Sequence, residues 1–438
     1  MLSIITPIFN KRKTLPRIID SVADLSRLVP CELILIDDKS TDGATEYIQS
    51  AYSQSIDLKK VFLKSNSGPG AARNAGLNVA RHNYVTFLDG DDEIAVEGGR
   101  HGSNVTSLLS LLDSSVDIVR LHHNKWKRFA TSESWTTGNQ EIHNIGLGRN
   151  PGILSEIEMV ECWGYLIRRE LITNNKIRFL ETRIAEDQPF IVEVFLNAKS
   201  YSETRVLNYL HTPNSTGAAT RIQETCAGDY LQAIEHISRL KVQAPNRRKE
   251  FLENKIRFLK KYLPWYYLPY LQDEGWLDRK VVLDRVLQDI VLIGDKENID
   301  KNATPTDNMR ILSERYLQFG RQSSKRIYLY GLSVIAISLV ELFKKNDLTI
   351  HCIVDDNIDD RAYREIPLIK FEHINQDKLE LKEKDTEKIM LVTQFDTNVA
   401  LRLANRVHRH WGERFQSISI LDDSFSIQMF NTSLVPLQ

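Results

Sequence analysis

Short apolar runs alternate with helically spaced apolar positions along the first half of the chain. Ser3 to Thr6 and Glu32 to Ile36 are such runs. The second is almost continuously apolar, as expected of a strand buried on both faces of a parallel sheet. Leu15 to Leu25 and Thr45 to Ala51 carry the helical spacing in between. The alternation then repeats through Val61-Phe62-Leu63, the turn Asn66-Ser67-Gly68-Pro69-Gly70, a helix with the small apolar face Ala71, Ala72, Ala75 and Val79, and a strand from Tyr84 to Leu88. Pro69 suits the first turn of that helix, where a missing N–H costs nothing, while Pro7 is expected to end the first strand. Strand and helix in strict alternation predict a doubly wound α/β sheet. Polar residues follow each strand, which places them at the carboxyl edge where open α/β sheets bind ligands.

The pattern continues with a strand at Asp117 to Leu121, a polar excursion over His122 to Asn150, an apolar helix running to Leu196, and a last strand at Val206 to His211. From Ile222 to Gly320 it turns helical, with Leu231, Ile234, Ile237 and Leu240 on one stripe and Phe251, Ile256, Leu259 and Leu263 on another. From Ile327 it becomes α/β again, with strands near Thr349 to Val354, Ile389 to Val392 and Ser417 to Ile420. Three domains are therefore expected, over 1–221, 222–320 and 321–438.

Length and composition narrow the function. The 438 residues give room for two or three domains. The net charge of −1 leaves no global field to recruit nucleic acid or a membrane, so any such argument must rest on local patches. Cys31, Cys162, Cys226 and Cys352 are scattered without ligand spacing and read as reduced, buried thiols. The chain opens directly into a strand without a basic-then-apolar leader, and its longest nearly apolar run, Tyr328 to Phe343, is too short to span a bilayer comfortably. A soluble, cytoplasmic protein is the expectation.

The sharpest chemistry is Asp89-Gly90-Asp91-Asp92, directly after the Tyr84 strand. Three carboxylates in four residues repel one another, so a fold that gathers them usually supplies a cation. A solvated acidic turn is the alternative. The same stretch belongs to an ordered series: TPIFN (Thr6 to Asn10), IDDKSTDG (Ile36 to Gly43), NSGPGAARNAG (Asn66 to Gly76), LDGDD (Leu88 to Asp92), AEDQPF (Ala185 to Phe190) and YLHTPNS (Tyr209 to Ser215).

In that order and spacing the motifs resemble the family 2 glycosyltransferases, inverting enzymes with the GT-A nucleotide-sugar-binding fold, over about half the chain. The resemblance implies a nucleotide-sugar donor, UDP-linked by preference, and Mn²⁺ or Mg²⁺ as cofactor. It implies donor contacts at Thr6, Pro7, Phe9, Asp37, Asp38, Asn66, Gly68, Arg73 and Asp89, with Asp37 and Asp38 on the nucleoside base. Asp91, with Asp89 nearby, would hold the metal, and Asp92 would support the loop. His211 is either a third metal contact or a satisfied strand-end histidine. Asp187 would be the general base, with Glu186 as the fallback or as a helix cap. Arg73 is either a diphosphate contact or a salt bridge to the acidic loop. Trp163 and Tyr165 either stack on an acceptor sugar or belong to the core.

The implied acceptor is a glycan or lipid-linked glycan of a bacterial-type surface polymer, such as capsule or lipopolysaccharide. Basic residues from Arg247 to Lys261 run into Trp265, Tyr266, Tyr267, Tyr270 and Trp276, which suits peripheral contact with the inner membrane or a solvated helix with core aromatics. The last domain resembles a small Rossmann-like module. Ser333 and Ala336 replace two of the phosphate-loop glycines there, which favours a structural or assembly role over dinucleotide binding. A homo-oligomer is left open. A nucleotidyltransferase would need a basic glycine-rich signature after the first strand, where TPIFN stands, and a sugar-nucleotide sensor is the second rival.

Overall fold

The computed structural model describes residues 1–51, 56–96, 105–123, 143–144, 161–212, 224–270, 326–330, 333–355, 362–363, 365–371, 388–393, 417–421 and 427–430, with scattered positions at 304–321 and 403–409. It divides into two compact units, Met1–Thr212 with Gln232–Ile256, and Pro213–Leu231 with Arg257–Gln438.

The first unit is built on β1 (Leu2–Ile8), α1 (Leu15–Ser26), β2 (Cys31–Asp37), α2 (Ala44–Ser50), β3 (Asp57–Phe62), α3 (Gly68–Val79), β4 (Tyr84–Phe87), β5 (Glu93–Val96), α4 (Val105–Asp113), β6 (Ile118–His123), β7 (His143–Asn144), β8 (Tyr165–Arg168), α5 (Arg169–Asn174), α6 (Asp187–Asn197) and β9 (Ser200–Leu210). The sheet order is β3-β2-β1-β4-β8-β6-β9-β5, with β7 on β9. β1 pairs in parallel with β2 and β4, and β2 with β3. β8 runs antiparallel to β4 and β6, making the sheet mixed rather than uniformly parallel.

Several boundaries differ from expectation for physical reasons. Pro7 lies inside β1, where it pairs with Ile36 of β2. The β1–β4 ladder ends at Ile5, so no N–H is needed from Pro7 on that side. β3 starts at Asp57, ahead of the apolar triplet, because an edge strand tolerates Asp57, Lys59 and Lys60. β9 begins at Ser200, six residues before the apolar run at Val206. Its first half, Ser200 to Arg205, is polar apart from Tyr201, so no apolar run marks it. β2 is fully buried, and its Glu32 is held by the Ser3 hydroxyl (2.6 Å), the Arg81 N–H (2.9 Å) and the Lys59 ammonium (2.9 Å).

Gly76 explains how closely α3 lies on the sheet. A Cβ there would come within 2.4 Å of Ile5 Cγ2 and 3.0 Å of Ile36 Cδ1. Only glycine permits that approach. The polar excursion at 122–150 falls largely outside the described residues.

The helical block is represented by α7 (Glu224–Gln243) and α8 (Asn246–Tyr267). Part of its basic-aromatic stretch is turned inward: Arg248, Lys255, Tyr266 and Tyr267 are buried, whereas Arg257 is exposed. Arg248 Nη1 donates to the Phe195 carbonyl at 3.2 Å, and the Lys255 ammonium lies 5.6 Å from the Phe251 ring centroid. This corrects the membrane-facing reading for those residues, and Trp276 lies outside the described ones. Among the described residues no helix is long and apolar enough to cross a membrane.

The second unit carries β10 (Arg326–Tyr330), α9 (Val334–Lys345), β11 (Ile350–Val354), β12 (Ala362–Tyr363), β13 (Ile366–Ile369), β14 (Lys388–Thr393), β15 (Ser417–Leu421) and β16 (Ile427–Phe430). Its sheet order, β12-β13-β11-β10-β14-β15-β16, is doubly wound about β10. Ser333, in place of a glycine, caps α9 by accepting from the Ala336 N–H at 3.4 Å.

Candidate active site

The carboxyl ends of β1, β2 and β4 gather the polar motifs of the first unit. β4 ends at Phe87 and delivers Asp89, Gly90, Asp91 and Asp92 into the turn before β5. Thr14 Oγ1 donates to the Gly90 carbonyl. A Cβ at Gly90 would stand 3.0 Å from the Pro7 carbonyl oxygen, so the turn is pressed against the end of β1.

The three carboxylates of this turn have separate partners. Asp89 Oδ1 accepts from Arg73 Nη2 at 2.8 Å. Asp91 Oδ2 meets Lys11 Nζ at 2.5 Å. Asp92 is buried, accepting from the Tyr209 hydroxyl and from the Thr212 N–H, both at 2.7 Å. It therefore braces the loop, as expected, and ties the end of β9 to it. Burial, reinforced by the charges of Asp89 and Asp91, pushes the Asp92 carboxyl up to about 8.

Arg73 is the hub of the site. It lies on α3 and is 5% exposed. Its Nη1 donates to Glu186 Oε1, its Nη2 donates to Asp89, and the guanidinium lies 5.5 Å from the Phe179 ring centroid. Of the two readings of Arg73, the salt bridge is the one seen. A buried guanidinium with two carboxylate partners presents no open face to a diphosphate. Asn74, its neighbour, exchanges 3.0 Å hydrogen bonds with both backbone groups of Phe179. The two side chains together hold the 179–186 segment against α3.

That segment carries the predicted base. Phe179 stacks on Phe190 at 3.8 Å, and both meet Phe87 edge-on at 5.0 and 5.4 Å. Phe190 thus pins the first turns of α6 against the end of β4 and sets Asp187 beside the acidic turn. Ala185 has φ +59°, a left-handed conformation that costs a non-glycine residue of order 1 kcal/mol or more. Glu186 stands at the N-cap position but makes no side-chain cap bond, because its carboxylate is drawn to Arg73. The helix-cap reading of Glu186 is corrected accordingly. Asp187 keeps some exposed surface. Burial, then the adjacent Glu186 carboxylate, push Asp187 well above the usual range, and Arg73 opposes them.

The predicted base-recognition residues have other partners. Asp37 accepts from the Ser40 N–H at 3.1 Å and the Thr45 hydroxyl at 2.6 Å. Asp38 accepts from the N–H groups of Ser67 and Gly68, at 2.7 and 2.8 Å. Both are buried, at 2% and 3% exposure, so they fasten loops and leave no open carboxylate for a base. Thr6 is fully buried, with its hydroxyl unpartnered. Phe9 is exposed and Pro7 half-buried, so these two alone of the predicted wall present surface. Gly68, at φ +88°, and Gly70 are required by the neighbouring loop: a Cβ on Gly70 would lie 2.0 Å from the Leu180 carbonyl oxygen. Asn66 accepts from Arg183 at 2.6 Å.

Trp163 is buried and stacks on Tyr209 at 4.5 Å and on His211 at 5.8 Å. Tyr165 is buried too, so neither is a free stacking platform for an acceptor. Among the described residues no group of three or more His, Cys, Asp or Glu could hold a metal, so Asp89, Asp91 and His211 are not gathered into one ligand set. Asp89 and Asp91 by themselves still fit a cation shared with a diphosphate, which needs only one or two protein carboxylates. Lys11 had no role in the sequence reading. Its position next to the TPIFN motif was the one available signal.

The class is defined by this arrangement together with the sheet: an α/β domain of GT-A-like fold with an acidic turn on its carboxyl edge. Residues 3–98, which lie within the first unit, match the model of glycosyl transferase family 2. The chain is 29% identical over 226 residues to the cholesterol galactosyltransferase of Borreliella burgdorferi, covering 48% of this chain and 59% of that protein. The match thus takes in less than two thirds of that relative. It is also 29% identical over 254 residues to the poly(ribitol-phosphate) beta-N-acetylglucosaminyltransferase TarP of Staphylococcus aureus, covering 56% of this chain and 73% of TarP. Among solved structures, S. aureus TarS 1-349 in complex with UDP aligns with a TM-score of 0.49 and 20% identity, over 73% of this chain and 91% of that one.

Proposed function

We propose that the chain is an inverting glycosyltransferase that moves a hexosyl group from a nucleoside-diphosphate sugar, UDP-linked by preference, to a cell-surface glycan or lipid-linked acceptor. The observation that carries the proposal is the meeting of Asp89 and Glu186 on one buried arginine, Arg73, which brings the acidic turn and the Asp187 helix start together. The family 2 match and the glycosyltransferase relatives support it.

Transfer separates charge, because the sugar becomes electron-poor while the diphosphate leaves with negative charge. Asp89 and Asp91 would hold Mn²⁺ or Mg²⁺ at that diphosphate, where such an ion neutralises the departing charge. Asp187 takes the proton of the acceptor hydroxyl as its oxygen attacks the anomeric carbon. A carboxylate raised by burial and by Glu186 is a stronger base than a solvated one. Glu186, committed to Arg73, orients the helix start and leaves proton transfer to Asp187. Asp37 and Asp38 act through the loops they fasten. Phe9 and Pro7 offer the apolar surface for the base.

The test is a panel of nucleotide sugars with Mn²⁺ or Mg²⁺, read by thermal shift and by release of nucleoside diphosphate. The expected result is stabilisation and slow donor hydrolysis with one donor class. Stabilisation without any turnover would identify a sugar-nucleotide sensor instead.

A further inference from the structure

We infer that Lys11 is a built-in counter-cation of the acidic turn: it neutralises Asp91 while the donor site is empty, and a divalent cation must displace it. The inference rests on the proposed metal role of Asp91 and adds a residue that this role does not include. Lys11 Nζ lies 2.5 Å from Asp91 Oδ2, with both side chains about four-fifths buried, at 22% and 19% exposure. An ammonium at that distance stands against an oxygen that a divalent ion would take.

The backbone around Lys11 is fixed, so the side chain is the part free to move. Asn10 adopts φ +55°. Its N–H donates to Ser40 Oγ at 3.0 Å, and its Oδ1 accepts from the Thr41 N–H at 2.7 Å. Arg12 N–H donates to Asp42 Oδ2 at 2.8 Å. The acidic turn is held independently: Arg17 Nη2 donates to the Asp91 carbonyl at 2.7 Å, and Arg17 Nε pairs with Glu93 at 2.9 Å. Neither anchor depends on the Lys11–Asp91 contact, so that contact can open without unfolding either loop.

A lysine suits the task. Its ammonium is a compact charge on a flexible stem, without the rigid fork by which an arginine locks two carboxylate oxygens. Arg73, buried and doubly paired, is the fixed cation of the site, and Lys11 is the exchangeable one.

Manganese binding to the full chain, measured by the electron paramagnetic resonance signal of free Mn²⁺ without nucleotide, tests this. Lys11→Met keeps the stem and removes the competing charge, and Mn²⁺ affinity should rise roughly tenfold, the scale of a partly buried ion pair. Lys11→Arg keeps the charge and should bind Mn²⁺ no more tightly than wild type. Equal or weaker Mn²⁺ binding by folded Lys11→Met overturns the inference about Lys11 alone. No Mn²⁺ binding by either protein, with or without UDP, overturns both this inference and the metal role of Asp89 and Asp91.

Discussion

Replacing Arg73 by methionine should be among the most damaging single changes in the first unit. Arg73 serves two carboxylates of unequal burial. The Glu186 side chain is 8% exposed and cannot recover its charge partner from water. Removing one member of such a buried pair costs about 3–5 kcal/mol, because the remaining charge is stranded. Asp89 is 30% exposed, so losing its bond to Arg73 adds at most about 1 kcal/mol after solvent screening. Urea unfolding of the full chain, followed by tryptophan fluorescence, should therefore show Arg73→Met less stable by about 3–5 kcal/mol. Adding Glu186→Gln removes the stranded charge and should restore most of that loss, since an uncharged, well-packed replacement for a buried pair is often close to neutral. A loss below about 1 kcal/mol for Arg73→Met, or a double variant no more stable than the single one, would refute the stranded-charge argument.

Gly70→Ala should be worse than Gly76→Ala. The new methyl at 70 meets the Leu180 carbonyl at 2.0 Å, whereas at 76 it meets the Ile5 side chain. Overpacking of about 1–3 kcal/mol at position 76, and a larger loss of melting temperature at position 70, are expected by differential scanning calorimetry. Glu32→Gln tests the buried carboxylate of β2. Burial pushes this group up, but the Ser3 hydroxyl, the Arg81 N–H and Lys59 together hold it below the usual carboxylate range. A depressed folded value means that the stabilisation is present above the unfolded value of about 4.3 and is lost as pH falls through the folded one. Wild type should exceed Glu32→Gln by about 2 kcal/mol at neutral pH, and urea midpoints measured down the pH scale should converge.

Much of the frame was legible in the sequence because local chemistry wrote it. β2 is continuously apolar and fully buried. α3 begins at Gly68 with Pro69 in its first turn. Asp89 to Asp92 follow β4 at the expected edge. β5 was not legible, since Glu93-Ile94-Ala95-Val96 continues an acidic turn and owes its strand to pairing with β9, more than a hundred residues away. The partners of the charged groups were the least legible part. Arg73 and Glu186 are 113 positions apart, and Lys11 and Asp91 are 80. No spacing rule connects such pairs. Asp37 and Asp38 show the converse: carboxylates at strand ends look like ligand contacts, yet nearby N–H and hydroxyl donors take them first. The Asp187 helix start was visible as a motif, but the aromatic stack that fixes it unites Phe87, Phe179 and Phe190 from three separate stretches.

The proposed chemistry turns on Asp187, and the most direct measurement is the turnover of Asp187→Asn beside its donor affinity. The substitution keeps size and shape but cannot accept a proton. With the donor and acceptor that the nucleotide-sugar panel returns, transfer should fall roughly 10²–10⁴-fold, the usual contribution of a positioned general base. The wild-type rate should climb with pH through a value above the ordinary aspartate range, because the base must first lose its proton and burial holds that proton on. Donor affinity should stay near wild type, because Asp187 is assigned to the acceptor hydroxyl and not to the diphosphate. Full transfer by Asp187→Asn, or a loss of donor binding that accounts for its whole defect, would contradict the assignment.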